Sequence, residues 1–555
     1  MTMAITSASF IALICALVVL SILPPVRRRL KQRSLRNVPG PISPSFWTGI
    51  AKELHSPFDM RFREHVLTSY GQAVRIAMPL GDVAIALSDP VAVGTMLGRH
   101  REVFELPVWF SETMNAVWGP GLMSVQGKEH SLQRRLLNPA FAVRHLRDMV
   151  PIFNRVSKEL VDVLRKEAPE PGTEVDIAQY LSRYTLESIG RTGLGYTFGS
   201  LESHGTDYSR ALKEFGPTLM RLHHWRLYLP LVRRIFPRSW LRWATEVLPW
   251  AALRHMRGIS DSVYMTSLEV LQRKRELLKQ GEESLSGDVG EGKDLISILL
   301  RLDATVSDEN LIGHMSLLTL GATDTTSTML SRVIELLARH PDAQRKLRKE
   351  LMEATAGAGR SLADIDYEAY VNLPYLEAII RETVRLYPPL QIAPRVADSD
   401  AVLPLGTPVP DAQGLPCHEL FIPAGTIVWI NIFGLNRDKD IWGRDANEWK
   451  PQRWLAPLPP SVSDAHIPSI YAHTASFLAG PRACIGYNMA LTVMRIAITH
   501  LVLSFDFAPS DKEIVWRNGG VVSPSVQGAT SLKPELPVVM TALQLPMLNK
   551  LAEDS

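Results

Sequence analysis

The chain is short of cysteine, of net charge and of repetition. Of its 555 residues only three are cysteines, Cys15, Cys417 and Cys484, an odd number spread far apart. Neither a disulfide framework nor a CxxC metal site can be built from them at short range, which suits a reducing compartment. Sixty basic residues face 57 acidic ones, a formal net charge of +3. That is too small at this size to imply a nucleic-acid partner. No internal repeat is present. The hydrophobic share of 46% and charged share of 21% are those of a folded chain with a large buried core.

Charge is missing altogether from Met3 to Leu23, a run of mostly Ala, Ile, Leu and Val. At about 20 residues it is long enough to cross a hydrocarbon core as a helix. Arg27, Arg28, Arg29, Lys31, Arg33 and Arg36 follow, with no basic residue before the run. This asymmetry places the rest of the chain on the cytoplasmic side. A cleaved signal peptide fits less well: no positive segment precedes the run, and Leu23 before Pro24 and Pro25 is a poor cleavage site. Asn37-Val38-Pro39-Gly40-Pro41 reads as a stiff, extended linker. The predicted organisation is an anchor with its basic flank at 1–36, a Pro/Gly linker at 37–50, and a catalytic domain at 51–555.

Alternation around Gly81-Asp82, between Val74–Ala77 and Val83–Ala86, predicts a hairpin. Beyond it, three- and four-residue apolar spacing predicts helices over Val150–Arg165, Asp176–Thr192, Ser260–Gln280, Leu295–His340 and Asp342–Gly357. A polar connection is expected at Gly281–Lys293. Between Trp225 and Trp250 lie four of the twelve tryptophans, interleaved with Arg226, Arg233, Arg234, Arg238 and Arg242. Such a mixture fits a membrane interface, and equally well ordinary helix packing with a solvated basic face.

A lone cysteine is most often a small buried hydrophobe, but Cys484 has telling neighbours. The segment Phe477-Leu478-Ala479-Gly480-Pro481-Arg482-Ala483-Cys484-Ile485-Gly486 resembles the haem-binding loop of the cytochrome P-450 superfamily, Phe-x-x-Gly-x-Arg-x-Cys-x-Gly, at every fixed position. The resemblance implies that Cys484 ligates haem iron as a thiolate. Gly480 and Gly486 would allow a tight turn and backbone N–H groups aimed at the sulfur. Arg482 would pair with a haem propionate, and Phe477 would cover the sulfur.

Other segments extend the resemblance in the family's order. Glu382 and Arg385, three apart on one helical face, would form a buried structural network with Arg453 of Pro451-Gln452-Arg453-Trp454. His130 and Arg134, four apart, and Arg395 after Pro394 would face the propionates. Leu320-Gly321-Ala322-Thr323-Asp324-Thr325-Thr326 resembles the oxygen-side helix motif, in which Asp324 and Thr325 relay protons. Read without the resemblance, these threonines would simply bond back to the helix backbone. Substrate walls are expected in Phe104–Val125, Leu317–Ala322, Gln391–Ala393 and Val521–Val526.

The implied fold is a single haem domain, mainly α with a smaller β-rich part, behind an N-terminal transmembrane helix. The implied activity is a monooxygenase holding haem b (iron protoporphyrin IX). It would draw electrons from NADPH through a flavoprotein reductase and insert one atom of O2 into a lipophilic small molecule. Asn436 to Trp454 looks most like fungal microsomal members, which implies the endoplasmic reticulum membrane and a terpenoid or other secondary metabolite. Two alternatives stand beside it. One is a haem-thiolate isomerase or dehydratase acting on a peroxide; the other is a non-catalytic haem-binding membrane protein.

Overall fold

Apolar residues at three- and four-residue spacing form long helices because each such stripe can bury one face. The computed structural model describes residues 28, 30–54, 56–202, 207–222, 225–281, 289–302, 306–356, 365–411 and 413–543. Its principal helices, in chain order, are α1 (Val108–Trp118), α2 (Gly127–Leu137), α3 (Val143–Glu167), α4 (Ile177–Ile189), α5 (Asp207–Arg221), α6 (Leu229–Ile235), α7 (Arg238–Val247), α8 (Ala251–Gln280), α9 (Leu295–Leu302), α10 (Asp308–Arg339), α11 (Pro341–Ala356), α12 (Pro374–Leu386) and α13 (Tyr487–Ser504).

The helix expected as one piece from Leu295 to His340 is instead two, α9 and α10. Ser307 restarts it, its hydroxyl accepting from the Asn310 N–H at 3.3 Å, with Asp308 and Glu309 in the first turn. A capping serine followed by acids favours a fresh helix start. Helix α3 begins seven residues before the expected Val150 and runs through Pro151. That proline lies on the exposed face, where the carbonyl left without its bond can turn to water.

The β-rich part begins with the expected hairpin, β1 (Ala73–Ala77) against β2 (Val83–Leu87), registered from Ala73 opposite Leu87 to Ala77 opposite Val83. With β3 (Phe104–Glu105), β5 (Ile392–Ala397) and β8 (Ile427–Asn431) it forms a sheet in the order β1-β2-β8-β5-β3. Between and beyond these come β4 (Thr173–Asp176), β6 (Ala401–Pro410), β7 (Pro416–Ile422), β9 (Phe505–Pro509), β10 (Ile514–Asn518), β11 (Val522–Val526) and β12 (Pro537–Ala542), in smaller sheets β4-β12-β9, β6-β7 and β10-β11. The largest apolar core joins α3, α4, α12, α13 and the C-terminal half of α10. A second joins α1, α5, α8 and the N-terminal half of α10. Helix α10 is therefore gripped by both, which fixes the segment Gly321–Thr325 at their junction.

The stretch expected as a linker is docked. Leu35, Val38 and Ile50 are buried, the Arg75 N–H donates to Pro39 O at 2.7 Å, and Gln32 donates to Val83 O at 3.1 Å. A carbonyl-rich proline segment beside a sheet edge satisfies that edge's free N–H groups. The apolar run Met3–Leu23, with Cys15, lies outside the described residues, as do most of the connection Gly281–Lys293 and the basic residues Arg27 and Arg29. Among the described residues no helix is long and apolar enough to cross a membrane. The tryptophan-rich segment does not pack as a core: Trp225, Trp240 and Trp243 are 60%, 61% and 58% exposed, together with Leu231, Ile235 and Val247.

Candidate active site

Two short turns, Ala475–Phe477 and Gly480–Arg482, deliver Cys484 to the start of α13. The Cys484 N–H closes the loop on Phe477 O at 2.9 Å. Gly480 has φ +72°, and a Cβ there would meet Leu97 O at 2.8 Å, so only glycine fits. Gly486 corrects one expectation: its φ is −94° and a Cβ would touch only Phe141, at 3.7 Å. Its backbone N–H, which bonds to Cys484, is what it brings to the sulfur. Burial pushes the thiol up, while that N–H and the Arg134 guanidinium act the other way. Yet Cys484 is exposed. A residue enclosed by protein that opens onto an internal space satisfies both. Phe477 lies between the rings of Tyr471 and Tyr487, centroids 5.7 and 6.0 Å away.

Cations gather at one edge of this space. Arg134 on α2 donates to Ala483 O at 2.6 Å, one residue from the cysteine. Arg482 donates to the Glu105 carboxylate at 2.9 Å and to the carbonyls of Leu122 and Val125 at 3.2 and 2.8 Å. Arg395 projects inward from β5, where Ala393, Arg395 and Ala397 form the buried side. Its Nη2 is buried without a partner, as is Arg482 Nε. His130 is buried, and desolvation together with the Arg482 charge pulls its pKa down to about 4, leaving a neutral imidazole. Glu105, unforeseen in the sequence, is held below its usual range by Arg482 despite its burial. Three guanidiniums thus meet one carboxylate, and two orphaned donors remain. That balance fits a ligand with two carboxylates at this edge, as haem b has, and its iron side would fall to Cys484.

Behind the loop, Glu382, Arg385 and Arg453 come together as expected. Arg385 makes two bonds to Glu382, at 2.8 and 2.9 Å, and donates to Asn436 O and Ala446 O at 2.7 Å. Arg453 and Trp454 also reach the Glu382 carboxylate, at 3.4 and 2.9 Å. Burying these ions is affordable only because each is multiply bonded.

On the opposite side, α10 packs against α13 and presents Gly321–Thr325. The Thr325 hydroxyl donates to Gly321 O at 2.6 Å, which is the back-bonding that threonines in a helix favour. Asp324 and Thr325 do not share a bond. Asp324 instead lines a cavity with Lys213, Gln179, Thr328, Gly519 and Val521. Burial pushes its pKa up to about 7, Lys213 opposing, and burial lowers Lys213 to about 8. Lys213 sits on α5, more than a hundred residues from Asp324; nothing local in the sequence marks it, just as nothing marks Glu105 for Arg482.

A sequence model of the family described as Cytochrome P450 matches residues 39–529. The chain is 37% identical to "Cytochrome P450 monooxygenase 219" of Postia placenta, over 96% of this chain and 98% of that protein. It is 36% identical to "Cytochrome P450 monooxygenase 81" of the same fungus, over 94% and 96%. With "Ganoderic acid synthetase CYP5150L8" of Ganoderma lucidum it shares 34% identity over 93% and 95%.

Proposed function

Because this chain belongs to the cytochrome P450 family, we propose that it oxidises a terpenoid or similar lipophilic secondary metabolite while held at a membrane surface. Monooxygenase chemistry, haem b and electron supply from a reductase come with the family. When bound, the haem supplies activation of O2, one atom of which enters a C–H bond while the other leaves as water.

The chain's own residues set the terms of that chemistry. Cys484 would hold the iron as thiolate, with Gly486 N–H tuning the sulfur and Phe477 packed between Tyr471 and Tyr487 on the loop's flank. Gly480 gives the loop its turn. Arg395, Arg482, Arg134 and neutral His130 would hold the propionates, the guanidiniums by charge and the imidazole by a hydrogen bond. Asp324, with a pKa of about 7, can take and release a proton near neutral pH. The Thr325 proton is committed to Gly321 O, so its Oγ1 serves as an acceptor that holds a proton-carrying water in place.

One observation carries the catalytic reading: α10, which packs against the helix that follows Cys484, carries side by side an acid whose pKa burial raises to about 7 and a threonine whose proton is given to Gly321 O. A peroxide isomerase or a passive haem carrier has no use for that pair. The terpenoid reading is supported by the relative named for ganoderic acid, a triterpenoid. The membrane reading is supported by the uncharged run Met3–Leu23 with its basic flank, and by the exposed Trp225 before α6 and Trp240 and Trp243 of α7. On this reading residues 1–27 anchor a domain that begins at the docked segment, in the endoplasmic reticulum membrane with the catalytic part cytoplasmic.

The test is reconstitution with a fungal NADPH-dependent reductase and a panel of lanostane triterpenoids, sesquiterpenes and fatty acids. A product one oxygen heavier, formed only with NADPH, O2 and reductase together, is the expected result. Turnover of a hydroperoxide without reductase would favour the isomerase instead.

A further inference from the structure

Helix α1 ends a stretch that starts at the propionate edge. Glu105, the partner of Arg482, lies four residues before Trp109, a chain length of at most about 14 Å. Gln126 ties this turn down by donating to Leu106 O at 2.6 Å and to the Ser111 hydroxyl at 2.9 Å. Over the first turn of α1 lies the short turn Trp225–Tyr228 that follows α5. There the Arg226 guanidinium stacks on the Trp109 ring, 4.5 Å from its centroid.

Both groups are left with donors to spare. Arg226 Nε and Trp109 Nε1 are buried and make no hydrogen bond. The other half-buried arginines of this region are paired: Arg233 with Glu112 of α1 itself, and Arg257 with Glu246 at 2.7 Å and Asp261 at 3.4 Å. Among the described residues no carboxylate reaches Arg226. Burial alone acts on it, pulling its pKa down to about 10. A desolvated guanidinium without a counter-charge is costly, and this one stands where α1, α6 and the α5–α6 connection meet above the haem edge.

We propose that Arg226 and Trp109 form a binding subsite for a carboxylate on the lipophilic substrate, so that the natural substrate is an acid rather than a hydrocarbon. Guanidinium and indole N–H can only donate. The complementary group accepts at two points and brings the missing negative charge, as a carboxylate does; an amine is excluded, and a hydroxyl, though its oxygen can accept twice, brings no charge. Seated there, the acid end is held against α1, and the apolar body is left to reach toward the Cys484 side. The carbon oxidised is then remote from the acid. This inference rests on the monooxygenase reading and narrows its substrate.

The test uses the full-length, haem-loaded protein and the spectral shift of the haem on ligand binding. The ligands are palmitic acid and abietic acid, each beside its methyl ester. A charge-assisted hydrogen bond favours the acids by about 10-fold or more over their esters. Arg226→Leu should bring that ratio close to one while leaving ester affinity within about threefold. Arg226→Lys should keep part of the ratio, and Trp109→Phe, which removes the N–H and keeps a ring, should reduce it. Equal binding of acid and ester by the unaltered protein would overturn the proposal. So would a ratio that survives Arg226→Leu, or a loss of acid and ester binding in parallel, which would make Arg226 a packing residue. The reduced, CO-bound spectrum of each variant reports separately on the haem-thiolate reading: its absence from the unaltered protein would sink that reading, whatever the ratio.

Discussion

The two sides of the haem space follow opposite rules. Behind the Cys484 loop the buried network is closed: Glu382 takes bonds from Arg385, Arg453 and Trp454, and Arg385 donates its remaining N–H groups to carbonyls. On the α10 side charges are left open. Asp324 faces a cavity that Lys213 and Lys533 also line, and among the described residues no acid pairs with Arg226. Satisfied ions fix one arrangement, whereas unsatisfied ones wait for a proton, a water or a ligand. The difference separates the half of the site that must hold still from the half that must respond.

The sharpest break of this contrast is at the ligand itself. Cys484→Ser should abolish turnover and the red-shifted Soret band of the reduced, CO-bound protein, since only a thiolate produces that perturbation; a band retained in the variant would exclude Cys484. Next comes the closed network. Glu382→Ala leaves the buried Arg385 without its carboxylate, while Arg453 keeps Asp445 at 3.0 Å, so about 3–5 kcal/mol of stability should go, read by chemical denaturation and by haem retained after purification. A small loss would mean that the carbonyls alone suffice.

Across the space the expected effects are gentler and chemical. Thr325→Ala should lower coupled product by up to about 100-fold while NADPH is still consumed and peroxide accumulates; Thr325→Ser should restore coupling. Unchanged coupling would remove Thr325 from proton handling. At the outer surface, replacing Trp240 and Trp243 together by Ser in a protein lacking residues 1–27 should weaken binding to phospholipid vesicles by about 10-fold, measured by flotation. Binding that does not change would return these helices to ordinary solvated surface.

The smallest effect concerns Asp324. Its pKa of about 7 in the folded protein lies above the ordinary carboxylate value, so the fold prefers the protonated acid. The stability this lends is present at low pH and is lost as pH rises through about 7. Asp324→Asn mimics the protonated form and escapes the loss. Its melting temperature should gain on the unaltered protein by on the order of a degree or two between pH 5.5 and 8. A constant difference across that range would mean that the carboxyl is not buried as charged at neutral pH.

What could be read from the sequence follows the same division. The Cys484 loop and the Glu382-Arg385 pair are local: their spacing carries their geometry, so both sides of each contact were visible at once. The hairpin at Gly81 and most helices were legible for the same reason. Glu105 with Arg482, and Lys213 with Asp324, are brought together only by the fold, and neither has a nearby residue that betrays it. Ser307-Asp308-Glu309 did carry a helix-start signal, but continuous apolar spacing on both sides masked it. The tryptophan-rich segment was undecidable because periodicity records which residues share a face, not whether anything covers that face.

Gln32 is stitched to Val83 O and to the Thr426 hydroxyl at 3.1 and 3.3 Å, and Arg28 reaches Gly425 O at 3.2 Å. For the proposed anchor ending at Leu23, the leash before Arg28 is then the four residues 24–27, at most about 14 Å when fully drawn out. With that anchor in place, so short a tether would keep the enzyme from tumbling. One rim, that of Leu30, Ile42, Phe46 and Trp47, all exposed, would stay turned toward the bilayer, and a substrate dissolved among lipid tails would meet the protein from that direction without first crossing water.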